Sequence, residues 1–295
     1  MWRVWNYYYR LRKGPHGLAI IATSIACLSV ACLLVGGLVY QPLFAPAVAF
    51  SLACTVIVLA LIAVLVSRLR AKIDDVHGAI SIETTLQRAE YSLDGFFTDE
   101  AAANPSLQLF NLKVLSLFQP SRILELGSGQ TTKVLSCYAR KNPSAYVLTL
   151  EQDEAWVNRL RTHVAHDYRH VPLEPMEFPC AGNGRQLTTM WYKDIPALHQ
   201  QTFNYILVDG PDSGKPGTAH TDYSRSGILR YMPFILDESF IIVFDDAERY
   251  GETMTINALK EILRACNVRF HYFSTHGVKT QDVFCSPDNK YLQSI

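Results

Sequence analysis

The sequence lacks the cysteine pattern of a disulfide framework or of a zinc site. No two of its seven cysteines form a C-x-x-C pair; they stand at positions 27, 32, 54, 137, 180, 266 and 285. Because the number is odd and three of them lie in apolar stretches, we expect reduced thiols. The chain also lacks net charge, with 27 basic and 27 acidic residues. This balance gives no overall field that would recruit nucleic acid, so we expect no nucleic-acid partner.

Charged residues are absent from two long stretches in the first third of the chain. Gly17–Tyr40 and Leu43–Val66 are each 24 residues long and uncharged. A helix of that length measures about 36 Å, enough to cross the core of a bilayer. The residues before the first stretch and after the second are basic, while the turn between the two stretches is uncharged. We therefore predict two transmembrane helices in an integral, two-pass membrane protein with both termini in the cytoplasm.

Two alternatives to a membrane hairpin explain the apolar stretches less well. A cleaved signal peptide has a shorter apolar core and leaves the second stretch unexplained. A buried helical hairpin of a globular protein would rarely run 24 residues without a charge. The predicted regions are a basic, aromatic cytoplasmic segment (1–16), the hairpin (17–66), a connecting helix and linker (67–105) and a folded domain (106–295). The connecting helix is either a contact with a second copy of the chain, giving a homodimer, or a solvated spacer.

The folded domain shows the alternating pattern of an α/β protein. Short apolar runs at 122–126, 145–150, 203–208 and 240–244 predict buried strands, and longer periodic segments between them predict helices. Two consecutive strands, at 268–273 and 278–284, are predicted to close the sheet as an antiparallel pair. The third strand, at 171–178, is interrupted by prolines, 180–193 is predicted as a loop and 228–236 as a helix. The fold class is an α/β, doubly wound, Rossmann-like sheet.

A glycine-rich turn follows the first of these strands. Gly127 permits a tight turn, and Gly129 lets a ligand approach the backbone without meeting a Cβ. A dinucleotide fingerprint would place a third glycine where Thr132 stands. Glu151 ends the next strand, about 20 residues further on, where a carboxylate can accept both hydroxyls of a ribose.

The pattern Glu125-x-Gly127-x-Gly129 resembles motif I of the class I S-adenosylmethionine-dependent methyltransferases. The resemblance covers residues 106–286 and implies a methyltransferase sheet whose last strand is antiparallel to the rest. It implies S-adenosylmethionine as the cofactor. The residues expected to contact that cofactor are Glu125, Gly127, Ser128, Gly129, Glu151 and Asp209.

Three carboxylates end neighbouring predicted strands: Asp209, Asp245 and Asp246. Oxygen ligands suit Mg²⁺, so these residues are a candidate metal site. The arrangement resembles the metal-dependent O-methyltransferases, including the catechol type, in which an asparagine matches Asp246. The alternatives are that the aspartates cap loops, or that Arg249 supplies the cation instead.

Catalysis of methyl transfer to a hydroxyl requires a base. The candidates are Asp209, Lys215 and His220, and the alternative for the loop residues is simple exposure to solvent. The predicted function is a membrane-anchored methyltransferase that O-methylates a small-molecule or lipid-linked acceptor, with Mg²⁺ as a second cofactor. Two other functions stay open: a catalytically silent scaffold, and a nicotinamide-dependent oxidoreductase, which Thr132 disfavours.

Overall fold

The structure is a computed structural model that describes residues 41–88, 90–91, 105–179, 186–211, 223–276 and 279–294. The chain divides into two compact units, residues 1–73 and residues 74–295. The predicted domain boundaries at 16, 66 and 105 stay predictions.

Within the first unit, the described residues belong to one long helix, α1 (Gln41–Arg88), which continues into the second unit. Its segment Val48–Arg70 is 23 residues long and apolar enough to cross a membrane. Leu52, Val56 and Leu59 are exposed along it, as lipid-facing side chains would be. The second predicted apolar stretch is therefore helical. The first, 17–40, and the basic segment 1–16 lie outside the described residues.

The second unit is built on a seven-stranded sheet. The strand order is β3-β2-β1-β6-β7-β9-β8. These strands are β1 (Arg122–Leu126), β2 (Tyr146–Glu151), β3 (Asp167–His170), β6 (Phe203–Val208), β7 (Leu236–Phe244), β8 (His271–His276) and β9 (Thr280–Cys285). The first five in spatial order are parallel, whereas β9 is antiparallel to both β7 and β8. The closing antiparallel pair is confirmed, and the order fits the methyltransferase variant of the doubly wound sheet.

Helices cover both faces of the sheet because each strand presents apolar side chains alternately to either side. In β1, Ile123 packs in one apolar cluster with Leu107 and Val134, whereas Leu124 packs in the other with Leu259. The α-helices of this unit are α2 (Pro105–Leu117), α3 (Gln130–Lys141), α4 (Glu154–Leu160), α5 (Pro196–Gln200) and α6 (Tyr250–Ala265). Short 3₁₀ helices occupy Arg161–His163, Ser224–Tyr231 and Pro287–Ser294.

The predictions for residues 171–178, 186–193 and 228–236 were wrong in part, and residues 180–185 lie outside the described residues. The third strand of the sheet is β3, and the proline-containing segment β4 (Leu173–Pro179) pairs instead with β5 (Gln186–Tyr192) in a separate antiparallel hairpin. A two-stranded hairpin has only edge strands, which tolerate proline. Of the predicted helix at 228–236, residues 228–231 belong to the 3₁₀ helix Ser224–Tyr231, residues 232–235 form turns, and Leu236 begins β7.

Two glycines bring the loops after β1 and β6 into direct contact. Gly127 has a φ of +83°, and a Cβ added to Gly210 would lie 2.5 Å from the Gly127 Cα. A side chain at either position would push these strand ends apart. In contrast, a Cβ added to Gly129 would meet no atom of the described residues within 4 Å.

We predict that Gly210→Ala lowers the free energy of unfolding by about 1–3 kcal/mol, because the added methyl group has no space beside Gly127. Gly129→Ala is the matched control and should change stability by no more than about 0.5 kcal/mol. Urea unfolding of the full chain in detergent measures both values. Equal stabilities for the two variants would contradict the close approach of the two loops.

Candidate active site

The glycine turn is fixed by a tyrosine from the β4–β5 hairpin. The Gly127 N–H donates to the Leu150 carbonyl oxygen at 2.9 Å and lies 3.0 Å from the Tyr192 hydroxyl oxygen. The buried Tyr192 hydroxyl in turn donates to the same carbonyl at 3.1 Å. Tyr192 therefore joins the ends of β1 and β2. Sequence reasoning missed it because its segment was assigned to a loop.

The buried side chain of Glu125 stabilises the glycine turn. Its side chain is fully buried, and its Oε2 accepts hydrogen bonds from the hydroxyls of Thr132 and Thr149, each at 2.8 Å. The Thr132 hydroxyl oxygen also accepts the Gly129 N–H at 2.9 Å. Burial raises the pKa of Glu125 to about 7, although the threonine hydroxyls act in the opposite direction. This series of hydrogen bonds, from Glu125 through Thr132 to Gly129, holds the start of α3 in place.

Glu151 and Ser128 lie together, at the end of β2 and in the glycine turn. Glu151 Oε2 accepts the Ser128 N–H and hydroxyl, each at 2.8 Å, and Oε1 accepts the Asp153 N–H at 2.9 Å. The Ser128 hydroxyl is also 2.9 Å from the Tyr168 hydroxyl, and the Trp156 indole donates to the Ser128 carbonyl. Glu151, predicted to bind the ribose, and Ser128, predicted to contact the cofactor, thus share one polar cluster with two aromatic residues that the sequence did not single out.

The three predicted aspartates converge at the same edge of the sheet. Asp209 follows β6, and Asp245 and Asp246 follow β7, its parallel neighbour. Each offers one carboxylate oxygen, and these three oxygens lie within 4.8 Å of one another. The side chains of Asp245 and Asp246 are 0% and 4% exposed, whereas that of Asp209 is 26% exposed. Among the three, a substrate can reach Asp209 most readily.

A buried arginine that the sequence analysis did not identify lies among these carboxylates. Arg225, on the 3₁₀ helix Ser224–Tyr231, places its Nη2 3.2 Å from Asp209 Oδ1 and 3.1 Å from Asp246 Oδ2. Its Nε lies 3.5 Å from Glu252 Oε1. No periodicity or motif in Ser-Arg-Ser-Gly marks this arginine, so only the tertiary fold reveals its role.

Two further cations complete the cluster. Lys279 Nζ lies 3.0 Å from Asp246 Oδ1 and 3.7 Å from Asp245 Oδ2. Arg249, the cation considered from the sequence, places its Nη2 2.8 Å from Asp246 Oδ2. Within the described residues, the cluster contains four carboxylates, including Glu252, and three cations.

These neighbours give two of the aspartates opposite acid–base behaviour. Burial and the adjacent Asp245 carboxylate raise the pKa of Asp209 well above its ordinary value. Burial would also raise the pKa of Asp246, but Arg225, Lys279 and Arg249 outweigh it and hold that pKa below its ordinary value. The surroundings therefore favour the charged form of Asp246 and the protonated form of Asp209. The other two base candidates, Lys215 and His220, lie outside the described residues.

A divalent ion fits this cluster only in part. Asp245 Oδ2 is buried and has no hydrogen-bond partner among the described residues, as an oxygen awaiting a metal would be. However, nitrogens of Arg225 and Lys279 already lie 3.0–3.2 Å from Asp209 and Asp246. Mg²⁺ requires its ligands at about 2.1 Å in a near-octahedral shell. The carboxylates cannot provide that shell while the guanidinium and the ammonium hold their present positions.

Comparison with protein-family models and with curated proteins found no match. Solved structures of similar fold include TomG from Streptomyces achromogenes, an O-methyltransferase of tomaymycin synthesis in complex with SAM (13% identity, 74% of this chain and 98% of that chain, TM-score 0.40). Others are a precorrin-6y C5,15-methyltransferase from Geobacter metallireducens (13%, 66% and 98%, TM-score 0.41) and an O-methyltransferase from Bacillus cereus in complex with SAH (14%, 70% and 91%, TM-score 0.37). At these scores the likeness does not identify the reaction.

We predict that Glu125 makes stability depend on pH. Its pKa is about 7 in the folded chain and about 4.5 when exposed, so the folded state holds the proton more tightly. Its contribution to stability is therefore complete below pH 4.5 and is lost as the pH rises through 7. Between pH 5 and 8 the free energy of unfolding should fall by about 2–3 kcal/mol more in the wild type than in Glu125→Gln.

Chemical unfolding at a series of pH values measures this difference. Glu238→Gln, which alters an exposed carboxylate at the opposite end of β7, is the control and should follow the wild-type slope. Parallel pH profiles for the wild type and Glu125→Gln would show that Glu125 titrates normally.

Proposed function

We propose that this chain is a membrane-anchored methyltransferase that uses S-adenosylmethionine and methylates a hydroxyl group of its acceptor. The observation that carries the proposal is the position of the open backbone at Gly129 beside Glu151, at the sheet edge that also holds Asp209. In doubly wound sheets, ligands bind outside the carboxyl ends of the strands. The strand order supports the same class of enzyme.

The donor cradle comprises the turn from Gly127 to Gly129 and the carboxylate of Glu151. A Cβ at Gly129 would meet no atom of the described residues within 4 Å, so the donor can contact the backbone there. Glu151 Oε1 accepts one hydrogen bond from Asp153 and can accept another from a ribose hydroxyl. In this proposal Ser128 and Glu125 act on the donor mainly by holding the turn and Glu151 in position.

Asp209 is the proposed base. A Cβ at Gly127 would lie 2.9 Å from the Asp209 carbonyl carbon, so Asp209 adjoins the donor cradle directly. An oxygen lone pair of the acceptor attacks the methyl carbon, the carbon–sulfur bond breaks and the sulfur leaves as a neutral thioether. The hydroxyl proton passes to the carboxylate of Asp209, which is the most exposed of the three aspartates. Alignment of acceptor and donor supplies most of the remaining rate acceleration.

The anchor favours an acceptor at or near the membrane. Val48–Arg70 supports one membrane-crossing helix, and the uncharged stretch 17–40 is proposed as the second. The basic flanks on both sides favour a cytoplasmic location for the termini and the enzyme, and this is the proposed topology. A lipid-linked molecule, or a small molecule handed over at the membrane, is the proposed acceptor, and a second copy of the chain is the proposed partner of the connecting helix.

The two competing functions differ in what they would bind. A nicotinamide-dependent oxidoreductase would need close backbone approach at residue 132, but the Thr132 side chain is fully buried and bonded to Glu125. A catalytically silent scaffold could still bind the donor without transferring its methyl group.

We predict that the full chain in detergent binds S-adenosylmethionine and its demethylated product, S-adenosylhomocysteine, in a calorimetric titration, and does not bind NAD. Gly129→Leu should weaken binding by at least about tenfold, because its side chain fills the open space. Glu238→Gln is the control and should bind like the wild type. A heat of binding with NAD but with neither S-adenosyl compound would support the oxidoreductase. The absence of a heat of binding with all three ligands would contradict the proposal.

A further inference from the structure

We infer that Arg225, together with Lys279, stands in the place of a divalent cation at this site, so that the reaction proceeds without a metal. The inference rests on the proposed function, since it concerns how the same acidic cluster is neutralised. It makes Arg225 a positioning residue that holds Asp209 beside the donor cradle. It also bears on the kind of acceptor that the site can take.

The contacts of Arg225 are those expected of a central cation. Its guanidinium reaches the Asp209 and Asp246 carboxylates at 3.2 and 3.1 Å and the Asp209 carbonyl oxygen at 3.1 Å. A second nitrogen donates to the Asp245 carbonyl oxygen. Because the guanidinium is planar and always charged, it can bind several oxygens in fixed directions. One side chain therefore joins the strand ends of β6 and β7.

Lys279 places a positive charge near the carboxylate oxygens of Asp245 and Asp246 that the Arg225 guanidinium does not contact. Its ammonium, from the residue before β9, is 3.0 Å from Asp246 Oδ1 and 3.7 Å from Asp245 Oδ2, an oxygen with no hydrogen-bond partner among the described residues. Between them, the two cations approach all three aspartates. The carboxylates, which would repel one another without a counter-ion, are thus held together by groups of the chain itself.

Packing around Arg225 leaves the guanidinium little freedom to move aside for an ion. Its side chain is only 6% exposed. The next two residues anchor the same 3₁₀ helix: the Ser226 hydroxyl bonds to that of Thr255, and a Cβ on Gly227 would lie 2.0 Å from the Trp191 ring. Ile228 is fully buried in the core. Displacing Arg225 would also leave a buried charge without its partner, which is strongly unfavourable.

The chemical consequence concerns the acceptor. A bound metal would hold two neighbouring oxygens of a substrate and acidify one of them. Without it, activation of the hydroxyl depends on Asp209, the most exposed of the three aspartates. The site therefore accepts an isolated hydroxyl group and does not require a vicinal pair.

Metal binding by the full chain in detergent tests the inference directly, with Mn²⁺ as the probe and electron paramagnetic resonance as the readout. The wild type should show no saturable Mn²⁺ binding up to about millimolar concentration. Arg225→Met removes the central charge at similar length and should create a saturable site. Arg249→Met, at a cation that is 56% exposed, is the matched control and should create none.

Saturable Mn²⁺ binding by the wild type that is lost in Asp209→Asn would overturn the inference, and this result does not depend on whether Arg225→Met folds. A folded Arg225→Met chain that gains no Mn²⁺ site would also count against it. S-adenosylhomocysteine binding, measured on the same samples, tests the proposed function separately. If S-adenosylhomocysteine does not bind but the Mn²⁺ titrations give the expected results, the proposed function is wrong. The inference that Arg225 and Lys279 replace a metal ion is then still supported.

Discussion

The close approach of Gly127 and Gly210 is the constraint on which the rest of the site depends. With no side chain at either position, the loop after β1 touches the loop after β6. Contact at this point places Asp209 against the glycine turn. The predicted donor cradle and the acidic cluster consequently form one site. A sheet with bulkier residues here would separate the glycine turn from Asp209.

Polar groups around this contact are arranged in two layers. Behind the turn, Glu125 and its two threonines are fully buried and set the backbone of the glycine loop. In front of it, Asp209 remains partly exposed and can exchange a proton. Low dielectric strengthens the bonds of the first layer and makes any unpaired group there costly. The buried support of the turn and the exposed edge of the acidic cluster are therefore provided by different carboxylates.

The sequence predicted the parts of the fold that local patterns encode. Apolar runs ending in carboxylates located Asp209, Asp245 and Asp246 at one edge, because parallel strands end together. It did not predict Tyr192 or Arg225, whose roles arise from contacts with residues 16 to 65 positions away along the chain. The β4–β5 hairpin was missed for a related reason. Prolines in β4 argued against a strand, and only its pairing with β5 makes them tolerable.

The most direct measurement of the central claim is a crystal structure of the chain soaked with S-adenosylhomocysteine. The account predicts that the product lies across Gly127 and Gly129, with its ribose hydroxyls on Glu151 and its sulfur facing the Asp209 carboxylate. A product bound elsewhere on the chain, or a ribose that makes no contact with Glu151, would contradict it.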